Sequence, residues 1–199
     1  MAITRPPDVG GRTDGEVIGA SRGEPERFAE IFQRHWDEIY RYIAQRLGPE
    51  SAEDVGAETF AVAFRGRQRY DQTRNDARPW LYGIATNLIR QHWRVERRHR
   101  RLLARADAQA AGESFDQASD ERLTAQRLAP RIASALARLS AAERDLLLLI
   151  AWADLTYEEA AQALDVPPGT VGSRLYRIRR KLRRSLGDTN PMRLPEVDA

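Results

Sequence analysis

The 199-residue sequence has no cysteine. Disulfides and thiolate metal sites are thereby excluded, and the absence fits an intracellular protein. Histidine is scarce as well: His35, His92 and His99 lie on or beside basic or aromatic stretches and make no zinc spacing. No apolar run approaches the ~20 residues that a membrane-spanning helix needs. The longest, Leu146 to Ala153, contains Trp152 and has the size of a core segment. Residues 1–23 have no apolar central segment, so no secretory signal is visible and the cytoplasm is the expected compartment. Strand patterning and internal repeats do not stand out. A nucleophile–base pair, a phosphate-binding glycine loop and a metal cluster are also missing from the pattern. The expectation is a protein that is not an enzyme and needs no cofactor and no metal.

What is there is helical periodicity and unevenly placed charge. Charged residues make up 31% of the chain, yet the formal net charge is only +3, so position matters more than sum. Residues 1–23, rich in Gly, Pro, Asp and Arg, read as a disordered extension. From Pro25, apolar residues recur at three- and four-residue steps: Phe28, Ile31, Phe32, Ile39, Tyr42, Ile43 and Leu47. Gly48-Pro49 stops this helix. Ser51 is the expected N-cap of the next, with Asp54 three residues on, and Val55, Thr59, Val62 and Ala63 are expected to face inward. Arg65 to Ala77 breaks the period as a basic loop. A third helix starts with Pro79 in its first turn. Its expected buried stripe is Trp80, Leu81, Ile84, Ala85, Leu88, Ile89 and Trp93, which makes Trp80 and Trp93 core residues. Tyr82, Thr86, Asn87, Arg90, Gln91 and Arg94 are expected on its outer side.

Arg97 to Arg105 is strongly basic, whereas Ala106 to Glu121 has five acids and no base, which marks a linker. Helical periodicity returns at Leu128, Ile132, Leu136 and Leu139. Ser140 with Glu143, and Thr156 with Glu159, have capping-box spacing. The expected fold is all-α: two small helical domains, an N-terminal bundle and a C-terminal helix-turn-helix, joined by a flexible linker. The boundaries read as 1–23 extension, 24–98 first domain, 99–127 linker, 128–187 second domain and 188–199 tail.

Thr156 to Arg184 fits a helix-turn-helix. Ala160, Ala161 and Leu164 are inward on its first helix, and Val166 plugs the angle. Val171, Leu175, Ile178 and Leu182 are inward on the second, which starts at Pro168. Ser173, Arg174, Arg177, Arg180, Lys181 and Arg184 are then outward. Seven positive charges fall within the eleven residues from Arg174 to Arg184. A helix entering the major groove reads base edges from its N-terminal part. Arginine matches the two acceptors of guanine, and further basic residues neutralise phosphate. A basic helix on a helical core, or a membrane- or RNA-binding surface, is the alternative that this motif alone leaves open.

Two separate stretches carry a resemblance. "LSAAERDLLLLIAWADLTYEEAAQALDVPPGTVGSRLYRIRRKLRRSL" resembles domain 4 of an extracytoplasmic-function (ECF) sigma factor of the sigma-70 family. "ESAEDVGAETFAVAFRGRQRYD" and "ARPWLYGIATNLIRQHWRVERRHR" resemble its domain 2. The matches stand in the family's order and cover roughly residues 26–98 and 128–186. The resemblance implies an alternative sigma factor that binds core RNA polymerase, recognises minus-35 and minus-10 promoter elements and melts the latter. Its implied partners are the beta-prime clamp helices, the beta flap, promoter DNA and an anti-sigma factor, with no membrane insertion. Carried onto this chain, core binding falls to Asp54, Glu58, Thr59 and Phe60. Spacing alone makes Asp54 and Glu58 a shared helix face. Minus-10 reading falls to Tyr70, Asn75 and Asp76 in the specificity loop and to Asn87, Arg90, Gln91 and Arg94 after it. Minus-35 reading falls to Ser173, Arg174, Arg177 and Lys181. The chain departs from the family's "D-L-V-Q-E-T-F" at Val55, Gly56 and Ala57, and Gly172 replaces a frequent Lys. The acidic linker matches the segment that enters the RNA-exit path, or is simply solvated. The reading from another class is a free-standing helix-turn-helix regulator.

Overall fold

The computed structural model describes residues 11–107 and 134–186, and among these every regular element is helical. The chain divides into two units, Met1–Val95 and Glu96–Ala199. The first is built from α1 (Asp14–Ala20), a 3-10 turn (Pro25–Arg27), α2 (Phe28–Leu47), α3 (Pro49–Gly66), a second 3-10 turn (Arg67–Arg69) and the part up to Val95 of the long α4 (Arg78–Asp107).

The N-terminal extension is the first correction. Residues 1–10 lie outside the described residues, but Asp14–Ala20 is a helix with Val17 and Ile18 fully buried. Thr13 closes it with a capping box: Glu16 N–H donates to Thr13 Oγ1 at 3.3 Å and Thr13 N–H to Glu16 Oε2 at 2.7 Å. A seven-residue helix is marginal by itself. Burying Val17 and Ile18 holds it, which low overall hydrophobicity of residues 1–23 concealed.

α2 buries Phe28, Ile31, His35, Ile39, Tyr42 and Ile43. Phe32 is 40% exposed instead, stacked on Trp36 and edge-on to Phe60. Gly48, at φ 84°, ends α2 and immediately precedes α3, whose first residue is Pro49. Ser51 therefore lies inside α3 and is not its cap. The proline, with no N–H to lose, starts the helix three residues earlier than expected, with Gly48 in place of Ser51 at the N-cap. Gly56 has a packing reason, since a Cβ there would lie 3.1 Å from the Trp36 indole.

On α4, Leu81, Ala85 and Ile89 are buried as expected, and Ile84 and Leu88 are half-buried. Tyr82 and Thr86, expected outside, are buried. The Thr86 hydroxyl is satisfied inside by a hydrogen bond of 2.9 Å with the Tyr42 hydroxyl, and the Tyr42 and Tyr82 rings meet edge to face. Trp80 is half-buried against Tyr70, but Trp93 is 42% exposed, against the expectation of a core residue. Length explains it. Thirty residues rise roughly 45 Å, against roughly 30 Å for the twenty of α2. From Arg90 to Arg100 no residue is buried. The helix runs nine residues past the expected domain end at 98, into the segment read as linker. The remaining linker expectation, and the tail at 188–199, lie outside the described residues.

In the second unit, residues 134–137 form a helical turn, followed by α5 (Ala141–Ala151), α6 (Tyr157–Leu164) and α7 (Pro168–Leu186). Both capping boxes form as the spacing predicts, Ser140 with Glu143 and Thr156 with Glu159. Leu139, Leu146, Leu148, Leu149, Leu155, Ala160, Ala161, Val171, Leu175 and Ile178 make the core, with Leu164, Val166 and Leu182 half-buried at its edge. Asp165, left-handed at φ 52°, closes α6 and turns the chain toward α7.

Candidate nucleic-acid and polymerase interfaces

The loop between Arg67 and Ala77 and the start of α4 are positioned by a buried charge network that the sequence reading did not anticipate. Asp14, at the head of α1, is 2% exposed. One carboxylate oxygen accepts from Arg34 at 2.9 Å; the other accepts from His35 Nε2 at 2.7 Å and from the Ala77 backbone N–H at 2.9 Å. His35, 3% exposed, also donates from Nδ1 to Glu38 Oε1 at 2.9 Å. Arg78 lies 3.4 Å from Glu38 and 3.9 Å from Asp76. Seven charges thus alternate in sign from Glu30 through Arg34, Asp14, His35, Glu38 and Arg78 to Asp76.

Burial alone would discharge His35, but its bonds to Asp14 and Glu38 outweigh that and raise its pKa to about 9. Burial would likewise raise Asp14. The hydrogen bond and charge of His35, the Ala77 N–H and Arg34 hold it down at about 2 instead. Asp14, His35 and Asp76 bring ligand-type atoms within 4.8 Å of one another. A protonated histidine has no lone pair for a metal, and both Asp14 oxygens are already engaged, so the cluster is an ion-pair network. The signal for α1 was present in the sequence as Thr13-x-x-Glu16 before Val17-Ile18.

Within the loop, Tyr70 is buried, and its hydroxyl donates toward the carbonyls of Arg74 at 3.3 Å and Asp76 at 3.2 Å. It shapes the loop from beneath rather than offering a ring to a base. Asp76 is half-buried and accepts from the Arg78 N–H at 2.8 Å, opening α4. Asn75 is exposed, with Gln72, Thr73 and Arg74 beside it. Along α4, Asn87, Gln91 and Arg94 are exposed and Arg90 is half-buried. These residues supply a polar, cationic surface continuous along the helix.

The four residues of α3 separate into two pairs. Asp54 and Glu58 are exposed one turn apart, with Arg65 donating to Glu58 at 2.6 Å. Thr59 and Phe60 are buried: the Thr59 hydroxyl donates to the Val55 carbonyl at 2.7 Å, and Phe60 packs among Phe32 and Trp36. Only the carboxylates can meet a partner directly.

On α7, Ser173 and Arg177 are exposed and Arg174 is half-buried, all on the N-terminal half of the helix. Lys181 is held by Glu143 of α5, at 2.6 and 2.8 Å from its two oxygens. It ties two helices together, although nearly half of its side chain stays exposed. Tyr176, 67% exposed, had not been singled out from the sequence.

Two family models match this chain in the order of its two units: Sigma-70 region 2 over residues 31–99 and Sigma-70 region 4 over residues 130–182. The chain is 30% identical to the RNA polymerase sigma factor NccH of Alcaligenes xylosoxydans xylosoxydans, over 82% of this chain and 88% of that protein. It is also 30% identical to the ECF RNA polymerase sigma factor SigL of Mycobacterium tuberculosis, over 85% of this chain and 94% of the relative. Among solved structures, CnrH in complex with the cytosolic domain of CnrY shares the fold. Its TM-score is 0.59 at 24% identity, over 86% of this chain and 95% of that one. The chain belongs to the extracytoplasmic-function sigma factors of the sigma-70 family. It is an alternative sigma factor, a protein that directs transcription by RNA polymerase.

Proposed function

We propose that this sigma factor docks on core RNA polymerase through the acidic face of α3 and reads two promoter elements with its two units. Asp54 and Glu58 meet a basic surface on the beta-prime clamp helices, with Thr59 and Phe60 fixing the helix from inside. The second unit contacts the beta flap and enters the minus-35 major groove with α7. There Arg174 and Arg177 contact base edges, Ser173 assists, and Lys181 approaches phosphate as far as Glu143 allows. The exposed loop residues around Asn75, with Asp76 and Tyr70 shaping the loop, receive a base of the melted minus-10 strand. Asn87, Arg90, Gln91 and Arg94 hold its backbone. Polymerase supplies all the chemistry, and the work is done in the cytoplasm.

The observation that carries this reading is the coexistence of two polar or basic surfaces on two compact units with an exposed carboxylate pair that precedes both in sequence. A free-standing regulator would need only α7. An anti-sigma protein covering these same surfaces is the partner we infer for the resting state. The RpoE of Bartonella quintana, similar in fold at TM-score 0.52, was solved with the anti-sigma factor NepR.

The test is binding of the full chain to core RNA polymerase at moderate salt, beside an Asp54→Lys, Glu58→Lys double variant. Tight binding that the double variant loses is the expected result. No core binding, with salt-dependent binding of duplex DNA by the chain alone, would replace this reading by that of a free-standing regulator.

A further inference from the structure

α1 grips both ends of the loop that follows α3. At the loop's beginning, Arg22, just beyond α1, donates to the carbonyls of Tyr70 at 2.7 Å and Arg67 at 3.4 Å, and Arg67 returns a bond to the Ser21 carbonyl at 3.2 Å. With its amide oxygen turned toward Arg22, Gln72 accepts at 2.6 Å as well. At the loop's end, the Asp14 N–H donates to the Asn75 carbonyl at 3.1 Å and the Asp14 carboxylate takes the Ala77 N–H. Between these anchors the helix presents Gly15 and Gly19. A Cβ on Gly15 would lie 2.4 Å from the Gln72 carbonyl oxygen and 2.6 Å from that of Arg74. Backbone carbonyls cannot move aside as a side-chain end can, so only glycine lets the loop lie this close.

We propose that α1 is a brace that fixes the 70–77 backbone in its base-receiving shape, making Asp14, Gly15 and Arg22 positioning residues for minus-10 recognition. The proposal rests on the reading that this loop receives a minus-10 base. The physical reason is preorganisation. The loop has little of its own to hold it: an Asp71 side chain bonded to Thr73 and Arg74, and the Tyr70 hydroxyl beneath. A segment ordered before the DNA arrives does not pay for its ordering on binding. The Asp14 anchor is itself held by His35 and Arg34, so the rigid α2 is the base on which the brace stands.

The decisive variant is Gly15→Ala in the full chain loaded on core polymerase. Alanine favours helix over glycine, so a role confined to helix stability would leave this variant unharmed or improved. A promoter library randomised across the minus-10 element is selected by wild-type and variant holoenzyme, and core affinity is measured in parallel. We expect minus-10 enrichment to fall about tenfold with core affinity unchanged. Arg22→Gln, which adds no clash, releases only the loop's beginning and should lower enrichment about threefold. Two variants that enrich the same sequences as strongly as wild type overturn the brace. So does a parallel loss of enrichment and core affinity, which would mark general unfolding. A wild-type chain that enriches no minus-10 sequence instead sinks the reading of the loop, and the brace with it.

Discussion

The two units of this sigma factor differ in how they use charge: the first links buried charges across three helices, and the second shows an ion pair at its rim. In the first, Asp14 and His35 are buried and joined to Arg34, Glu38 and Arg78, so that charge determines where α1, α2 and the start of α4 lie. In the second, Asp145 is buried in an otherwise aliphatic core, and the Glu143–Lys181 pair sits at the rim with the lysine half exposed. Helix ends there are closed by capping boxes, and the basic residues of α7 face outward. A buried network defines geometry but fails badly when one partner is lost. A rim pair is worth little to stability and leaves its neighbours available to a polyanion. The first arrangement suits a loop that must be held in one shape; the second suits a helix that must offer cations to a groove.

The sharpest way to break this comparison is to remove one charge from each unit. Asp14→Ala leaves His35, Arg34 and the Ala77 N–H facing an emptied site. It should cost the first unit about 3–5 kcal/mol. Lys181→Ala keeps both capping boxes and should cost the second unit less than about 1 kcal/mol. Urea titrations read by amide exchange in each unit separate the two effects. Equal costs would mean that the burial of the network carries no energetic weight.

The network also predicts a pH dependence confined to the first unit. His35, faced by Asp14 from α1, Glu38 and Arg34 from its own helix and Arg78 from α4, titrates at 6.5 when unfolded and about 9 when folded. Its contribution is complete below pH 6.5 and is lost as pH rises through 9. That of Asp14 is present above 3.8 and is lost only as pH falls toward about 2. Amide protection of α1 should therefore weaken by about 2 kcal/mol between pH 6.5 and 9, and His35→Gln should abolish the slope. An equal slope in the second unit would assign the effect to other groups.

Much of the second unit was legible because its signals are local. Capping spacings, the apolar period of α7 and its outward charges each need only a few neighbouring residues. The first unit was read less well where burial depends on residues far apart. Tyr82 and Thr86 looked like outer-face residues because nothing local reveals the Tyr42 hydroxyl that meets Thr86. Tyr70, a minus-10 pocket residue by resemblance, is buried with its hydroxyl on the carbonyls of Arg74 and Asp76, which no local pattern reveals. α1 was missed because its apolar content is two residues and its charged anchor pairs with a histidine twenty-one positions on. Trp93 failed for the reverse reason, since the apolar stripe continues past the helices that could cover it.

Two glycines carry the comparison to its smallest scale. Both lie inside continuous helices, Gly56 in α3 and Gly172 in α7. Gly56 is buried, and a Cβ there would press on the Trp36 indole at 3.1 and 3.2 Å, so the ring must yield by a few tenths of an ångström. The helical gain of Gly56→Ala and the crowding should nearly cancel, leaving a change within about 0.5 kcal/mol. Around Gly172 nothing lies within 4 Å of a Cβ, so Gly172→Ala should stabilise the second unit by the propensity difference, about 1 kcal/mol. If α7 meets DNA as proposed, that open position also faces phosphate. Gly172→Lys should then raise the salt slope of duplex binding by about 1 without changing sequence preference. A steeper slope with altered preference would put residue 172 against base edges, and an unchanged slope would turn this face of α7 away from the backbone.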